Sequence, residues 1–130
     1  MSKENPVFAV DFDGVIAAIG AYKGTDDFQG EPNKDVITVM KALKGKGWRI
    51  IIYTCRPATD GLIAWLTSNG VPFDDINRNS DAPMTTSSKV QADIYLDDRA
   101  VNFNGQAVEG LLTEIIALHA SISAKHTAAQ

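Results

Sequence analysis

Short apolar runs alternate along the chain with segments in which apolar residues recur at helical spacing. Each run is bounded by polar or turn-forming residues and has the length of a strand. The run Trp48 to Tyr53 is apolar almost throughout, as in strands that are buried on both faces of a sheet. The predicted strands are 8–12, 48–53, 71–73 and 92–96.

Three helices are predicted between and after these strands. Asn33 is a candidate N-cap for the first helix, and the pair Asn69-Gly70 is typical of the end of the second. Strands that alternate with helices in this order predict an α/β fold with a mainly parallel sheet. The predicted helices are 34–44, 59–68 and 107–122, followed by a tail, 123–130, that is expected to fray.

Length and composition limit the function classes. With 130 residues, 45% of them hydrophobic, the chain is expected to form one domain over 1–130 with its core in 7–122. Cys55 is the only cysteine, which excludes an intrachain disulfide and favours the cytoplasm. No apolar run approaches the roughly 18 residues that a membrane span requires, so no membrane association is expected. The net charge of −4 argues against nucleic-acid binding.

Polar side chains follow three of the predicted strands. Asp11 and Asp13 end the first, Thr54 follows the second, and Asp97-Asp98 follows the last. In an open parallel sheet, ligands bind beyond the carboxyl ends of the strands, where the strand order reverses. These side chains, with Lys89 just upstream of the last strand, are therefore expected to converge in one crevice.

Four converging carboxylates require compensation. Each close pair of ionised carboxylates repels by about 4 kcal/mol at an effective dielectric constant near 20. A divalent cation and Lys89 would offset most of this charge, and one aspartate is then able to keep a proton and act as an acid. Magnesium fits this pattern, because it binds a few carboxylate oxygens and commonly shares its shell with substrate phosphate. The pattern therefore favours phosphoryl transfer.

The arrangement of these residues resembles the haloacid dehalogenase (HAD) superfamily of phosphohydrolases over residues 7–99. An apolar strand precedes a DxDGV sequence, a second apolar strand ends in threonine, a lysine follows, and a last strand ends in an acidic pair. Four such motifs in order are far more specific than a single DxD. The matching residues are Asp11-Phe12-Asp13-Gly14-Val15, Thr54, Lys89 and Asp97-Asp98.

The resemblance implies a role for each matching residue. Asp11 would be the nucleophile that becomes an aspartyl-phosphate, and Asp13 the general acid and base. The metal set would be Asp11, Asp13 through its backbone carbonyl, Asp97 and Asp98, holding Mg²⁺. Phosphate-binding positions would be Thr54, Lys89, Gly14 and Cys55. Apart from the resemblance, Arg56 and Arg78 follow strand ends and are further candidates for contact with substrate.

The resemblance also implies a short member with a Rossmann-like core and no cap domain. The segment 16–32 would take the place of the family's flap, with Tyr22, Lys23 and Phe28 as candidates to gate the pocket. An open site suits a phosphorylated small molecule or a larger phosphate ester, or a second subunit acting as a lid, so a homo-oligomer is one expectation. Substrate specificity is expected to lie in 16–32 and 74–88.

Other functions fit part of the pattern. A receiver-type phosphoacceptor module also combines aspartates, threonine and lysine on a parallel sheet, although receivers place their acidic pair first. A degenerate binding protein would keep the fold without the activity. A thiol phosphatase requires a C-x5-R loop, but Gly61 stands six positions after Cys55, so a buried, inert thiol is expected there.

Overall fold

Four strands and three helices make up the regular structure of the described residues in the computed structural model. These residues are 5–18, 30–81 and 88–129, with side chains described up to 125. The chain divides into two compact units, Met1–Leu96 and Asp97–Gln130. The elements are β1 (Val7–Val10), α1 (Lys34–Gly45), β2 (Arg49–Ile52), α2 (Asp60–Ser68), β3 (Asp75–Ile76), β4 (Ile94–Leu96) and α3 (Val108–Ala129).

The sheet of the first unit has the order β3-β2-β1-β4, and all neighbouring strands are parallel. Val10 at the end of β1 is in register with Ile52 on one side and Leu96 on the other. The chain builds the sheet from β1 through β2 to β3 and then returns to the far side of β1 for β4. The strand order therefore reverses between β1 and β4, which makes their carboxyl ends the expected ligand position. The predicted α/β, Rossmann-like core with a parallel sheet is confirmed.

The first two helices are capped as their sequences suggest. The Asn33 side chain accepts a hydrogen bond from the Val36 N–H, so the predicted N-cap is confirmed. Thr59, which was expected to begin the second helix, instead caps it by accepting from the Leu62 N–H. Both caps satisfy backbone donors that the first helical turn leaves without a partner.

The core of the first unit lies between the sheet and these two helices. Ile50, Ile51 and Ile52 of β2 have no exposed surface, as expected for a central strand. Met40 of α1 and Leu62 of α2 are buried in the same hydrophobic cluster. Burying side chains of this size contributes roughly 1.5–3 kcal/mol each, which holds β2 and the residues after it in place.

The third strand lies later than predicted. The sequence favoured 71–73, but β3 is Asp75–Ile76, and its pairing with β2 is preceded by a hydrogen bond from the Asp74 N–H to the Ile50 carbonyl. Pro72 has no N–H to donate to a ladder, which disfavours a strand there. The Asp74 side chain also accepts from the Ile50 N–H at 2.8 Å. The pairing of β3 with β2 therefore begins with hydrogen bonds of a polar residue and not with the apolar residues 71–73.

The second unit contains α3. The helix was expected to end near residue 122 and the tail to fray, but the helix runs on to Ala129. The residues after Ile122 contain neither glycine nor proline, so nothing in the sequence forces the helix to stop. Within the described residues, no helix is long and apolar enough to cross a membrane. The expectation of one domain over 1–130 stays a prediction.

Candidate active site

Two strand ends meet where the strand order reverses. The Asp11 N–H donates to the Leu96 carbonyl at 2.9 Å, which continues the pairing of β1 with β4 by one residue. Asp97 is bonded directly to Leu96, as Asp11 is to Val10. The register therefore brings the first acidic residue of each predicted motif to the carboxyl ends of adjacent strands.

The Asp11 carboxylate is oriented by its own backbone. The Phe12 N–H donates to Asp11 Oδ1 at 2.8 Å. Asp11 is half-buried, whereas the next residue, Phe12, is fully buried and packs edge-on against Trp65 of α2 with ring centroids 5.1 Å apart. The buried ring anchors the turn, and the carboxylate before it stays accessible.

A tight turn follows Phe12. The N–H groups of Val15, Ile16 and Ala17 all point to the Phe12 carbonyl, with N···O distances of 3.0–3.3 Å. Gly14 has a φ of 89°, a conformation that side chains with a Cβ rarely adopt, so the glycine of the motif is required by the turn itself. Its N–H donates to the Ala17 carbonyl at 2.8 Å, so this amide serves the turn, and phosphate binding at Gly14 stays a prediction.

Beyond the turn, the two ends of the segment predicted to take the place of the flap pair with each other. Ala17 bridges to Pro32 in antiparallel fashion, and the Ala18 N–H donates to the Glu31 carbonyl at 2.8 Å. The three candidate gating residues, Tyr22, Lys23 and Phe28, lie outside the described residues.

Asp13 is held by Arg56. Arg56 Nε donates to Asp13 Oδ2 at 2.7 Å, and Arg56 Nη2 donates to Asp13 Oδ1 at 2.8 Å. The Arg56 side chain is 7% exposed and that of Asp13 is 32% exposed, and the guanidinium also lies 5.5 Å from the centroid of the Phe12 ring. Sequence reasoning proposed Arg56 only as a substrate contact; the structure shows that it pairs with Asp13, the predicted acid and base, and contact with substrate stays a prediction.

The turn after β2 presents Thr54. Its Oγ1 accepts from the Arg56 N–H at 3.2 Å, which leaves the hydroxyl hydrogen for donation to a ligand. Its N–H donates to the side chain of Asn77 at 2.8 Å, and Asn77 Nδ2 donates in turn to the Arg56 carbonyl at 3.0 Å. Asn77 thus fixes both ends of the turn, a role that sequence reasoning missed.

The backbone of Asn77 has an unusual conformation that the sequence alone does not reveal. Its φ is 59°, and it is the only residue other than glycine with a positive φ in the described part of the chain. Asparagine tolerates this conformation better than most residues. An asparagine shortly after a predicted strand is therefore a candidate for this conformation and for a role in holding a nearby turn.

Lys89 lies over an aromatic side chain of β4. Its Nζ is 5.4 Å from the centroid of the Tyr95 ring, and Tyr95 donates a short hydrogen bond to the Val90 carbonyl. Tyr95 is in register with Ala9 of β1, and Asp11 follows Ala9 by two residues. Because side chains alternate along strands, Tyr95 and Lys89 belong to the face of the sheet that Ala9 shares, which is consistent with the predicted role of Lys89 near Asp11.

The second unit begins with the acidic pair. One carboxylate oxygen of Asp97 and one of Asp98 lie within 4.8 Å of each other. Asp97 Oδ1 accepts from the Arg99 N–H at 2.8 Å. Among the described residues, Asp98 Oδ1 is a buried oxygen for which the structure shows no hydrogen-bond donor. A buried carboxylate oxygen in that position is a group that a bound cation would satisfy.

Two other candidates have exposed side chains. Cys55 is exposed, so the prediction of a buried thiol is wrong: the turn that follows β2 points this side chain outward between Thr54 and Arg56. Arg78 is also exposed, and its Nε lies 3.4 Å from Asp75 Oδ1. No substrate contact of Arg78 follows from this position, and that role stays a prediction.

Acidic residues near β3 serve the fold. The Asp75 carboxylate accepts from Ser80 and from Arg49, whose Nη2 lies 2.6 Å from it. Burial by itself raises the pKa of Asp75, but the hydrogen bonds from Ser80 and Arg78 and the charge of Arg49 outweigh burial and lower the pKa below 3.8. Asp74 pairs with Lys44 of α1 at 2.6 Å. These contacts fix the β3 edge.

Comparisons with known proteins support the fold. No family model matches the chain, and no curated protein does. The structure is similar to that of a conserved protein from Bacteroides thetaiotaomicron, with a TM-score of 0.61 and 28% identity over 88% of this chain and 91% of that one. It is also similar to a chain of the Pnkp1/Rnl/Hen1 RNA repair complex, with a TM-score of 0.59 and 18% identity over 88% of this chain and 41% of that one. The second likeness shows the fold alone, and this chain spans about two fifths of that longer one.

Proposed function

We propose that this protein is a magnesium-dependent phosphatase of the HAD type, which hydrolyses a phosphate monoester through an aspartyl-phosphate on Asp11. The observation that carries the proposal is the register of β1 and β4, because it brings Asp11 and the residue before Asp97 together where the strand order reverses. Asp13 follows two residues later on a glycine-dependent turn. This is the arrangement that the sequence motifs imply.

The acidic residues fit magnesium. The buried Asp98 Oδ1, for which the described residues show no donor, is the kind of oxygen that a cation satisfies. Asp11, Asp97 and Asp98 would supply carboxylate oxygens and Asp13 its backbone carbonyl, a donor set of hard oxygens. The ion would neutralise charge on the carboxylates and on the phosphoryl oxygens.

Two groups support phosphate binding. The Thr54 hydroxyl accepts from the Arg56 N–H and so is oriented to donate its hydrogen to a phosphoryl oxygen. Lys89, held over Tyr95, supplies positive charge on the face that Ala9 shares. Together they would offset the charge that develops on the transferred group.

The reaction has two steps. An Asp11 oxygen attacks phosphorus, the bond to the leaving oxygen breaks, and Asp13 gives that oxygen a proton. Asp13 then takes a proton from water, whose oxygen attacks phosphorus, breaks the bond to Asp11 and releases inorganic phosphate. Asp11 returns to a free carboxylate, and Asp13 holds the proton needed for the next cycle.

The proposal includes a location and a class of substrate. A phosphorylated small molecule or a larger phosphate ester would reach the strand ends directly, because the chain between the motifs is too short for a cap domain. The single cysteine supports a cytoplasmic site of action. A homo-oligomer in which a second subunit covers the pocket remains part of the proposal.

An aryl phosphate assay with and without magnesium tests the proposal. The wild type should release phosphate only with the metal, and Asp11→Asn should lose at least about 10³-fold in rate, because the nucleophile is removed. Asp60→Asn is the matched control, since Asp60 is exposed in the first turn of α2. Turnover without metal, or undiminished turnover in Asp11→Asn, would contradict the proposal.

A further inference from the structure

Arg56 contacts the Asp13 carboxylate through two parallel hydrogen bonds. The distances of 2.7 and 2.8 Å involve different nitrogens and different oxygens, so the planar guanidinium fixes both the position and the rotation of the carboxylate. A single hydrogen bond would leave that rotation free. The contact therefore defines where both Asp13 oxygens lie.

Arg56 is itself rigidly held. Its side chain is almost fully buried and lies against the Phe12 ring, which is part of the core. Its N–H donates to Thr54 Oγ1, and its carbonyl accepts from Asn77 Nδ2. The backbone and the side chain of Arg56 are thus both anchored. Because Thr54 follows β2 and Asn77 follows β3, Arg56 fixes Asp13 relative to the ends of these two strands.

A purely structural role does not explain the pair well. Burying an arginine costs free energy that pairing with a carboxylate only partly returns, and apolar residues of similar volume are often as stabilising. Here the carboxylate stays one-third exposed, while the arginine is almost fully buried. A buried guanidinium therefore holds an accessible carboxylate.

We infer that Arg56 is a positioning residue for Asp13, and that its two hydrogen bonds hold the Asp13 carboxylate in the orientation for proton transfer to the leaving oxygen and from the attacking water. The inference rests on the proposed phosphatase function. Arg56 exchanges no proton itself. Each Asp13 oxygen accepts one hydrogen bond from the guanidinium and keeps a second lone-pair site, through which one of them carries the proton that passes to the leaving oxygen.

The test compares substrates that differ in their need for proton donation. Nitrophenyl phosphate has a stable leaving anion, whereas an alkyl phosphate has a basic one that requires a proton. Arg56→Met keeps an apolar stem against Phe12 but removes both donors. We expect this variant to lose roughly 10²-fold or more in the rate of phosphoenzyme formation on the alkyl phosphate, measured in a single turnover, to lose much less on nitrophenyl phosphate, and to change KM little on either.

Two further measurements separate positioning from folding. Adding guanidinium at a concentration that leaves the wild type unaffected should restore alkyl phosphate turnover in Arg56→Ala, with sodium chloride as the control for ionic strength. Arg56→Lys should rescue poorly, because a single ammonium group cannot reproduce the paired geometry. Thermal unfolding of each variant shows whether it is folded at the assay temperature.

Defined results would overturn the inference. Equal losses in the rate of phosphoenzyme formation on both substrates, a change confined to KM, or no recovery with guanidinium in a folded Arg56→Ala protein would each contradict positioning of Asp13. These outcomes are distinct from failure of the proposed function. That failure would appear in the wild type, as absence of magnesium-dependent turnover that Asp11→Asn abolishes.

Discussion

Asn77 holds the turn that presents Thr54, and replacing it should cost both stability and phosphate affinity. Its side chain accepts from the Thr54 N–H at 2.8 Å and donates to the Arg56 carbonyl at 3.0 Å. Its backbone has a φ of 59°. Asn77→Gly removes the two hydrogen bonds without adding strain, and Asn77→Ala removes them and also places a Cβ in the left-handed region.

The magnitudes follow from these contacts. Each partly buried hydrogen bond contributes about 0.5–1.5 kcal/mol net, so Asn77→Gly should lower the free energy of unfolding by about 2 kcal/mol. Asn77→Ala should cost about 1 kcal/mol more, because alanine is strained in that conformation whereas glycine is not. The difference between the two variants reports the strain at alanine less the extra backbone entropy that glycine loses on folding.

Urea unfolding at neutral pH measures both values, and the aryl phosphate assay measures the effect on the site. In Asn77→Gly the Thr54 turn loses its anchor, so KM should rise severalfold. The reasoning is refuted if Asn77→Gly unfolds within 0.5 kcal/mol of the wild type, a margin set by the smallest expected hydrogen-bond contribution. It is also refuted if the alanine variant is no less stable than the glycine variant.

Two predictions concern the fold. Because the pKa of Asp75 is lowered, the stability that its ionised form contributes is present above pH 3.8 and is lost as the pH falls through the folded-state pKa. Asp75→Asn should therefore be about 2 kcal/mol less stable than the wild type in urea at neutral pH, and this difference should shrink at pH 3. Leu62→Ala should cost about 2–5 kcal/mol, since Leu62 is fully buried, whereas Ile63→Ala on the same helix should cost less than about 1.5 kcal/mol, since Ile63 is 39% exposed.

Each of these has a clear contrary result. A stability difference between Asp75→Asn and the wild type that stays constant from neutral pH to pH 3 would show that the carboxylate contributes no linked protonation. Similar unfolding free energies for Leu62→Ala and Ile63→Ala would show that α2 does not pack through the Leu62 face.

The fold followed closely from the apolar pattern where burial dominates. The strand predicted at 48–53 is β2, Arg49–Ile52, and Asn33 caps α1, because a continuous apolar run and a capping side chain are both local signals. Polar chemistry overrode that pattern at β3. There the apolar residues at 71–73 are not a strand, and the Asp74 and Asp75 carboxylates secure the edge.

The candidate site was predictable in part, because strand ends are also marked by local signals in the sequence. Asp11, Asp13 and Thr54 follow strand ends, which the sequence marks clearly. The pairing of Asp13 with Arg56 joins residues 43 positions apart, and the contacts of Asn77 join residues more than 20 positions apart. Such contacts depend on strand order and turn geometry, and no local pattern encodes them. The exposure of Cys55 likewise depends on the direction of a turn.

The covalent intermediate is the central claim, and trapping it is the most direct test. The protein is mixed with magnesium and a phosphate monoester, quenched with acid within the first turnover, reduced with borohydride and digested for mass spectrometry. Reduction of an aspartyl-phosphate converts the aspartate to homoserine and releases phosphate. The proposal predicts homoserine at position 11 in the wild type and none in Asp11→Asn. Release of product by the wild type without modification at position 11, or with modification at another residue, would contradict it.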